Sequence, residues 1–440
     1  MENIEEIQCS ISGDKYYKIN HKSGLTIYVY PKEGFLSTYA LFGAKYGSIN
    51  TAFEKEDGQQ AVVPDGIAHY LEHKLFECED GDAFAKYAKT GASANAYTSF
   101  DKTCYLFSCT DNFEESLKIL LDFAFSRPPS RPGSFLDFVQ EPYFTDETVQ
   151  KEQGIIGQEI RMYDDDPNWR VSFNLLGALY KNHPVKIDIA GTVETIADIT
   201  PQKLYDCYNG FYNLHNMALT IVGGKAKLDV VLPICDKYLK ESPEKRVEST
   251  FPKEPDEIAK EYVEQKFPVS IPLFQLGFKE PVSKERLTDK EMAESEILLY
   301  AIGSGSSKMY ESLEKQGLIN NTFEYEHFEG PFYSSVLFGG ESKNPKAAAR
   351  VIKEYIENLK ASGISKKDFE IAQRAVYGEN IAALNNNGTV AGILMDNDFA
   401  GREIFEYIKC VKNATLENIN RRLNEQFDIS KAALSVVLPL

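Results

Sequence analysis

The stretch Gly66-Ile67-Ala68-His69-Tyr70-Leu71-Glu72-His73 says more about fold and chemistry than any other part of the chain. On a helix, His69 and His73 lie four residues apart and share one face, so their imidazoles can bind one zinc ion. Glu72 points to the same side and can take a proton from a metal-bound water. The order H-x-x-E-H inverts the commoner H-E-x-x-H of zinc proteases. The alternative interpretation is a surface helix with unrelated polar residues.

A catalytic zinc ion needs a third protein ligand and an open position for water, and the candidate ligand is Glu159. It lies seven residues after Glu152, so the two carboxylates share a face of the helix predicted for Thr145–Tyr163. That helix has a broad apolar side, where an unpaired carboxylate would be costly and a zinc ion would be a suitable partner. The alternative is that both glutamates are solvated on an acidic helix.

Several segments spread along the chain match one known group of enzymes. Besides Gly66–His73, they are Gly91-Ala92-Ser93-Ala94-Asn95-Ala96-Tyr97-Thr98, Glu152–Glu159, His183-Pro184, Ile189-Ala190-Gly191-Thr192 and Ile221-Val222-Gly223. Together they resemble the insulinase/pitrilysin family of zinc metallopeptidases, the inverzincins. The resemblance covers nearly the whole chain and is greatest to the short, processing-peptidase-like branch of bacterial cytoplasmic type.

The resemblance has direct implications for the site, the fold and the assembly. It implies that zinc is bound by His69, His73 and Glu159, that Glu72 is the catalytic base, and that Glu152 is an assisting acidic residue. It implies an α+β fold of two related domains, each a mostly antiparallel sheet with helices on one face, which form half of a clamshell. It also implies a homodimer, or a heterodimer with a paralogous subunit that lacks the metal motif.

One interval departs from the pattern of the family, because Glu159 lies 86 residues after His73, which is longer than usual. Leu121-Asp122-Phe123 recurs as Leu136-Asp137-Phe138, and the residues between them are rich in proline, which forbids a continuous helix. We interpret residues 124–138 as an inserted surface loop. The alternative is a diverged form of the ordinary loop of the family.

The order of the predicted elements indicates two domains and a weak internal duplication. Residues 1–239 are predicted to form the zinc-binding catalytic domain, 240–263 a charged linker with prolines, and 264–440 a related domain without metal. In the second copy, Ser307-Lys308-Met309-Tyr310-Glu311 lies near the position of the metal helix but has no paired histidines. The remaining histidines, predicted to be structural, are His21, His183, His215 and His327; the alternative for His327 is that it lines the cleft.

The composition is that of a globular protein and argues against several partners. The formal net charge of −18 disfavours nucleic acid and anionic membranes, because both attract basic surfaces. Seven scattered cysteines without a C-x-x-C pair are expected to be reduced. The N-terminus is acidic and lacks an apolar run, and no stretch reaches the ~20 apolar residues of a membrane helix. The expected location is therefore the cytoplasm.

These features predict a zinc metalloendopeptidase that hydrolyses peptides or unfolded segments. Asn95 and Ala96, on a predicted edge strand, are expected to hold the substrate backbone by strand addition; the alternative is an ordinary strand of small residues. A non-catalytic subunit that binds peptides or partners is a second possibility. A structural zinc site is a third, although such sites usually have four protein ligands.

Overall fold

The computed structural model describes residues 3–9, 13–55, 58–78, 81–125, 144–242, 244, 247–281 and 285–440. The strands in these residues are β1 (Asn3–Gln8), β2 (Lys15–Asn20), β3 (Thr26–Pro31), β4 (Thr38–Ala44), β5 (Ala52–Glu54), β6 (Gln60–Val62), β7 (Glu77–Cys78), β8 (Gly81–Asp82), β9 (Ser93–Thr98), β10 (Thr103–Cys109), β11 (Met217–Gly223), β12 (Tyr262–Phe267), β13 (Leu273–Lys279), β14 (Glu324–Gly330), β15 (Tyr333–Glu341) and β16 (Ala432–Pro439).

The α-helices are α1 (Ile67–Phe76), α2 (Ala83–Thr90), α3 (Phe113–Phe125), α4 (Asp146–Asp164), α5 (Pro167–Leu179), α6 (Val193–Ala197), α7 (Pro201–Phe211), α8 (Leu228–Tyr238), α9 (Asp289–Gly303), α10 (Lys308–Lys315), α11 (Pro345–Ser362), α12 (Lys366–Ala383), α13 (Asn387–Ala400), α14 (Ile404–Asn413) and α15 (Leu416–Gln426). In the part of the chain that the structure describes, no helix combines the length and the apolar character needed to cross a membrane.

The first sheet has seven strands in the order β1-β2-β3-β11-β4-β10-β9, which places β9 at an edge. Strands β3 and β11 run parallel, and all other neighbours run antiparallel. Strand β11 is buried along its whole length. A strand buried in this way has both faces covered, and its unbroken apolar sequence reflects that.

The second sheet has five strands in the order β12-β16-β13-β15-β14 and repeats the plan of the first. Strands β12 and β16 run parallel, and the other neighbours run antiparallel. This order corresponds to β3-β11-β4-β10-β9 in the first sheet. The prediction of an α+β fold with two related, mostly antiparallel sheets is therefore confirmed, and each sheet is mixed through a single parallel pair.

Helices cover both faces of the first sheet. Thr98 on β9 donates a hydrogen bond to Glu72 on α1, with an Oγ1–Oε2 distance of 2.6 Å. A Cβ on Gly43 of β4 would meet Met395 of α13 and the sulfur of Cys104. Cys104 pairs with the residue before Thr98. Because neighbouring side chains on a strand point to opposite faces, α1 and α13 lie on opposite faces. The prediction of helices on one face only is therefore incomplete.

The second sheet is covered on both faces in the same way. Leu276 and Ile297 belong to the large apolar core between the sheet and helices α9 to α12 and α15. Gly277 points the other way, and a Cβ there would meet Leu175 and Leu179 of α5. Helix α5 is thus the counterpart of α13, because each lies on the sheet face that the main helical layer leaves uncovered.

Contacts divide the chain into two compact units, and neither unit is continuous in sequence. The first comprises Met1–Gln158, Asp188–Thr250 and Ala382–Phe405, and the second comprises Glu159–Ile187, Phe251–Ile381 and Glu406–Leu440. The predicted domains 1–239 and 264–440 are continuous and differ from these units. The difference arises because each sheet buries one face against a helix from the other half of the chain, α13 for the first sheet and α5 for the second.

The segment 240–263, predicted as a linker, is partly tied into the second unit. Strand β12 begins at Tyr262. Glu254 accepts hydrogen bonds from the Lys279 ammonium group and from the backbone N–H groups of residues 181–183. The predicted insertion at 124–138 falls on residues that lie almost wholly outside the described ones, and that interpretation stays a prediction.

Candidate metal centre

Helix α1 begins where two glycines allow two backbone segments to touch. Gly66 has a φ of +87°, and a Cβ there would lie 2.3 Å from the carbonyl oxygen of Ala190. Gly191 has a φ of +72°, and its Cβ would lie 2.5 Å from the carbonyl oxygen of Asp65. Glycine meets both demands because it tolerates positive φ and has no Cβ. The Ala190-Gly191 segment therefore holds the start of the histidine helix.

The apolar side of α1 anchors it in the first unit. Ile67, Ala68, Tyr70 and Leu71 are almost completely buried. The Tyr70 hydroxyl donates a hydrogen bond to the backbone carbonyl of Val149 on α4. This contact joins the helix that carries the histidines to the helix that carries the two glutamates.

His69 and His73 lie next to each other on the same face of α1. Their ring centroids are 4.7 Å apart, and the ring planes are inclined by 64°. His69 is buried, whereas a quarter of the His73 side chain is exposed. His73 Nδ1 lies 3.1 Å from Glu152 Oε1. A carboxylate at Nδ1 favours a proton there and leaves the lone pair of Nε2 available to a metal.

Glu159 follows Glu152 by two turns on the continuous helix α4. One ligand atom from each of His69, His73 and Glu159 lies within 4.8 Å of the other two. Among the described residues, no other group of three or more His, Cys, Asp or Glu side chains meets this distance. Two imidazoles and one carboxylate are the ligand types of catalytic zinc sites, and three protein ligands leave a fourth position open. The donor set therefore fits zinc.

Glu72 lies on α1 with its carboxylate held by β9. It is 8% exposed and accepts the hydrogen bond from Thr98. Nearby, the hydroxyl groups of Tyr105 and Tyr212 lie 3.0 Å apart. Burial, with a smaller contribution from the Glu72 charge, raises the pKa of both phenols. These neutral, protonated phenols add no cation that would compete for the Glu72 carboxylate.

Strand β9, the predicted substrate strand, forms the edge of the first sheet beyond β10. Asn95 is exposed, and its Oδ1 accepts a hydrogen bond of 2.9 Å from the backbone N–H of Ala96. Ala96 and Thr98 lie on the same face of the strand, which is the face toward Glu72. The role of Asn95 and Ala96 in substrate binding stays a prediction.

Histidines outside α1 have local structural contacts. His183 is the clearest case, because its Nδ1 accepts from the Val185 N–H at 3.1 Å while its Nε2 donates to the Pro331 carbonyl at 2.9 Å. Burial lowers the pKa of His183 to about 4. This ring is therefore neutral and acts as a fixed link inside the second unit.

The sequence pattern did not identify two residues that contact the site, Thr98 and Tyr163. Thr98 lies in the quoted strand motif but was given no role, and its contact with Glu72 depends on the packing of β9 against α1. Tyr163 lies four residues after Glu159, and its hydroxyl donates to Glu159 Oε1 at 2.7 Å. The i,i+4 spacing on a helix is a signal that could have identified Tyr163.

Two family profiles match consecutive parts of the chain. The profile described as Insulinase (Peptidase family M16) matches residues 62–193, which include the histidine motif and both glutamates. The profile described as Peptidase M16 inactive domain matches residues 198–376. Together they cover most of the described chain.

Individual relatives agree with the profiles. The chain is 37% identical to the Bacillus subtilis protein named uncharacterized zinc protease YmfH, over 99% of both chains. It is 25% identical to a second B. subtilis protein, named uncharacterized zinc protease YmxG, over 85% of this chain and 88% of the relative.

Solved structures share the fold. An M16-like peptidase from Alicyclobacillus acidocaldarius has a TM-score of 0.88 at 32% identity, and the match covers 100% of this chain and 99% of that one. A protease from Helicobacter pylori has a TM-score of 0.78 at 20% identity, with both chains fully covered, and shows the likeness of fold alone. With a relative at 37% identity over its whole length and two matching profiles, the chain belongs to the insulinase family of peptidases, M16.

Proposed function

We propose that the chain is a zinc-dependent endopeptidase that cleaves peptides or unfolded segments. The observation that carries the proposal is the position of the Glu72 carboxylate on α1. Thr98 of β9 donates a hydrogen bond to it, and α1 also carries the two histidines whose ligand atoms lie close to one of Glu159. A base beside a three-ligand donor set is the arrangement that metal-assisted hydrolysis requires. The relatives named as zinc proteases support the choice of metal.

Bound by His69, His73 and Glu159, zinc would polarise the scissile carbonyl and lower the pKa of a water molecule. Glu72 accepts a proton from the attacking water and passes it to the leaving amine, so one carboxylate acts first as base and then as acid. The hydrogen bond from Thr98 restricts the rotation of that carboxylate. Proton transfer depends on such positioning, because the base must lie within hydrogen-bond reach of the water.

Glu152 acts through His73 in this proposal and does not itself touch the substrate. Its Oε1 lies 3.1 Å from His73 Nδ1. This contact orients the ring and leaves Nε2 as the nitrogen that would bind zinc. This contact is the physical basis that we propose for the assisting role of Glu152, which the family resemblance implies. Loss of such a partner typically costs ~10- to 100-fold in metal affinity or activity.

The peptide is proposed to add to the free edge of β9. Backbone groups on an edge strand have no partner strand on one side and can pair with an extended peptide. The Ala96 N–H is occupied by the side chain of Asn95, so a peptide that pairs there displaces the Asn95 amide, which then becomes free to bind the peptide. Small side chains at Ala94 and Ala96 leave room for substrate side chains.

A second candidate function is a non-catalytic subunit of the same fold that binds peptides. It is retained because the profile matched by residues 198–376 is described as an inactive domain. This candidate predicts peptide binding without turnover.

The assembly and the location of the chain also stay proposals. We propose that it pairs with a second copy or with a paralogue, and that it is located in the cytoplasm. The proposed location is supported by six cysteines among the described residues that are not in disulfides.

Zinc content measured together with cleavage of a mixed peptide library tests the proposal. We expect one zinc per chain in the wild type and in Glu72→Gln, with turnover lowered by ~10²- to 10⁴-fold in the variant, because an amide cannot accept the proton. Glu147→Gln, an exposed change in the first turn of α4, is the matched control and should cleave normally. A Glu72→Gln enzyme with near-normal turnover would contradict the mechanism, and a wild type that binds peptides without cleaving them would favour the second candidate.

A further inference from the structure

The Glu159 carboxylate has a neutral hydrogen-bond donor on its own helix. The Tyr163 hydroxyl, four residues later on α4, donates to Glu159 Oε1 at 2.7 Å. That length is typical of a charge-assisted O–H···O⁻ bond, which is stronger than a bond between neutral groups. The carboxylate is therefore restricted in its rotation by a group that no sequence motif assigned.

The choice of a phenol as the donor matters for a metal ligand. A lysine or arginine at this position would also hold the carboxylate, but its positive charge would repel a cation bound by the same group. A phenol orients the oxygen without adding charge. Because a protonated phenol can donate this bond and carries no charge, it suits a carboxylate that must remain ionised and available to a cation.

The Tyr163 ring is itself held by the turn between α4 and α5. It stacks on Trp169, with ring centroids 4.7 Å apart and planes inclined by 17°. Asp166 caps α5 by accepting the backbone N–H of Asn168 at 2.8 Å, which sets the turn that brings Trp169 back over Tyr163. Trp169 also packs on Phe173, so the aromatic support extends along α5.

The contacts of Glu159 and His73 follow one chemical rule. His73 has an N–H to donate, and it meets the acceptor Glu152. Glu159 has oxygens that accept, and one of them meets the donor Tyr163. In metal sites, such outer partners fix the orientation of each ligand and raise the affinity for the ion. The match of donor to acceptor at both ligands is what singles out Tyr163.

We propose that Tyr163 is a positioning residue that orients the Glu159 carboxylate for zinc, and that Trp169 holds its ring in place. The inference rests on the proposed zinc-binding function and extends it to the α4–α5 turn. Tyr163 acts only through Glu159, so its removal should weaken the metal site without removing a ligand.

The test is the zinc affinity of purified Tyr163→Phe, measured by competition with a chromophoric chelator. We expect zinc to bind ~10- to 100-fold more weakly than in the wild type, and the visible absorption of the cobalt-substituted protein to shift. Trp169 is the chain's only tryptophan, so its fluorescence reports whether the phenylalanine ring keeps the stack. Unchanged fluorescence would assign the loss of affinity to the hydroxyl group. Trp169→Leu should weaken zinc binding in the same direction, by less.

Tyr28→Phe is the matched control, because Tyr28 also donates a 2.7 Å hydrogen bond to a carboxylate, that of Asp398, and is not part of the donor set. It should leave zinc affinity and the cobalt spectrum unchanged. A Tyr163→Phe protein with wild-type affinity and spectrum would overturn the inference and leave the proposed function intact. An equal loss in Tyr28→Phe would also overturn it. A wild type that binds no zinc would overturn both the inference and the proposed function.

Discussion

Hairpins β9–β10 and β14–β15 occupy the same position in the two sheets, but the donor group found among the described residues takes its two histidines from the helix on the first hairpin. Helix α1 packs against β9, and helix α9 packs against β14. On α9, Ile297, Leu298 and Ile302 are fully buried and belong to the apolar core of the second unit. The repeated topology therefore does not carry the chemistry by itself. A few side chains on α1 and α4 do, whereas the corresponding helix α9 of the second copy contributes to an apolar core.

One detail of the predicted duplication differs in the structure. The sequence Ser307–Glu311 was expected near the position of the metal helix. It coincides with the start of α10, which packs against α9 and α11. Helix α9 is the element on the hairpin. That the second copy has no paired histidines is read directly from its sequence and does not depend on which helix lies on the hairpin.

The two units also differ in what their buried charges do. In the second unit, Arg422 and Glu280 are both buried and form a two-pronged ion pair, to which Ser334 adds a hydrogen bond of 2.8 Å. In the first unit, the buried Glu72 and Glu152 contact a strand hydroxyl and a histidine ring instead. Buried charges need partners in either case. We interpret the Arg422–Glu280 pair as structural, and Glu72 and Glu152 as functional.

The largest difference between the units should appear when a histidine is removed from each. We expect His73→Ala to lower zinc affinity by more than ~100-fold, beyond the usual cost of losing an outer partner, because a ligand is removed. Peptide cleavage should be lost with it. His327→Ala, on β14 of the second unit, is the control and should keep its zinc. Metal analysis after dialysis checks both variants, and full zinc occupancy in His73→Ala would refute the ligand assignment.

A smaller effect, on stability alone, is expected for the ion pair of the second unit. Arg422→Met leaves the Glu280 carboxylate buried without its main partner, and breaking a buried pair in this way typically costs ~3–5 kcal/mol. Arg350→Met removes an arginine from an exposed i,i+4 pair and should cost less than ~1 kcal/mol. Denaturant unfolding gives both values. If Arg422→Met released zinc from the folded protein, the division between structural and functional charges would be wrong.

The smallest effect concerns a single carboxyl group on α9. Burial raises the pKa of Glu296 from 4.5 to about 7; Asn380 opposes the shift, and the Glu379 charge adds to it. The unfolded chain ionises first, so this group makes the wild type less stable as pH rises from 4.5 through 7. A shift of this size corresponds to roughly 3 kcal/mol. We expect Glu296→Gln to match the wild type at pH 4.5 and to be more stable at pH 8.

Thermal unfolding of Glu296→Gln and of the wild type across this pH range checks the sign. Glu314→Gln, an exposed change on α10, serves as the control and should follow the wild type. A Glu296→Gln protein whose stability changes with pH as steeply as that of the wild type would show that this carboxyl group is not buried as described.

Residues close together in sequence determined most of the site. The helix period alone places His69, Glu72 and His73 on one face. It also places Glu152 with Glu159 on a second helix, and that helix, α4, has nearly the predicted bounds. The order of the predicted elements likewise indicates two related domains. These features depend on local backbone geometry, which a sequence expresses directly.

Only the tertiary structure decided which distant groups meet. The contact of Thr98 with Glu72, the pairing of Glu152 with His73 and the close approach of Gly66 to Ala190 join segments far apart in the chain. Helices α5 and α13 likewise pack against sheets that are formed by the other half of the chain. A helix shows in its own sequence that one face is apolar, but not which sheet buries that face. That choice depends on the free energy of the whole folded chain, because burial of the apolar face is equally favourable against any apolar surface of matching shape.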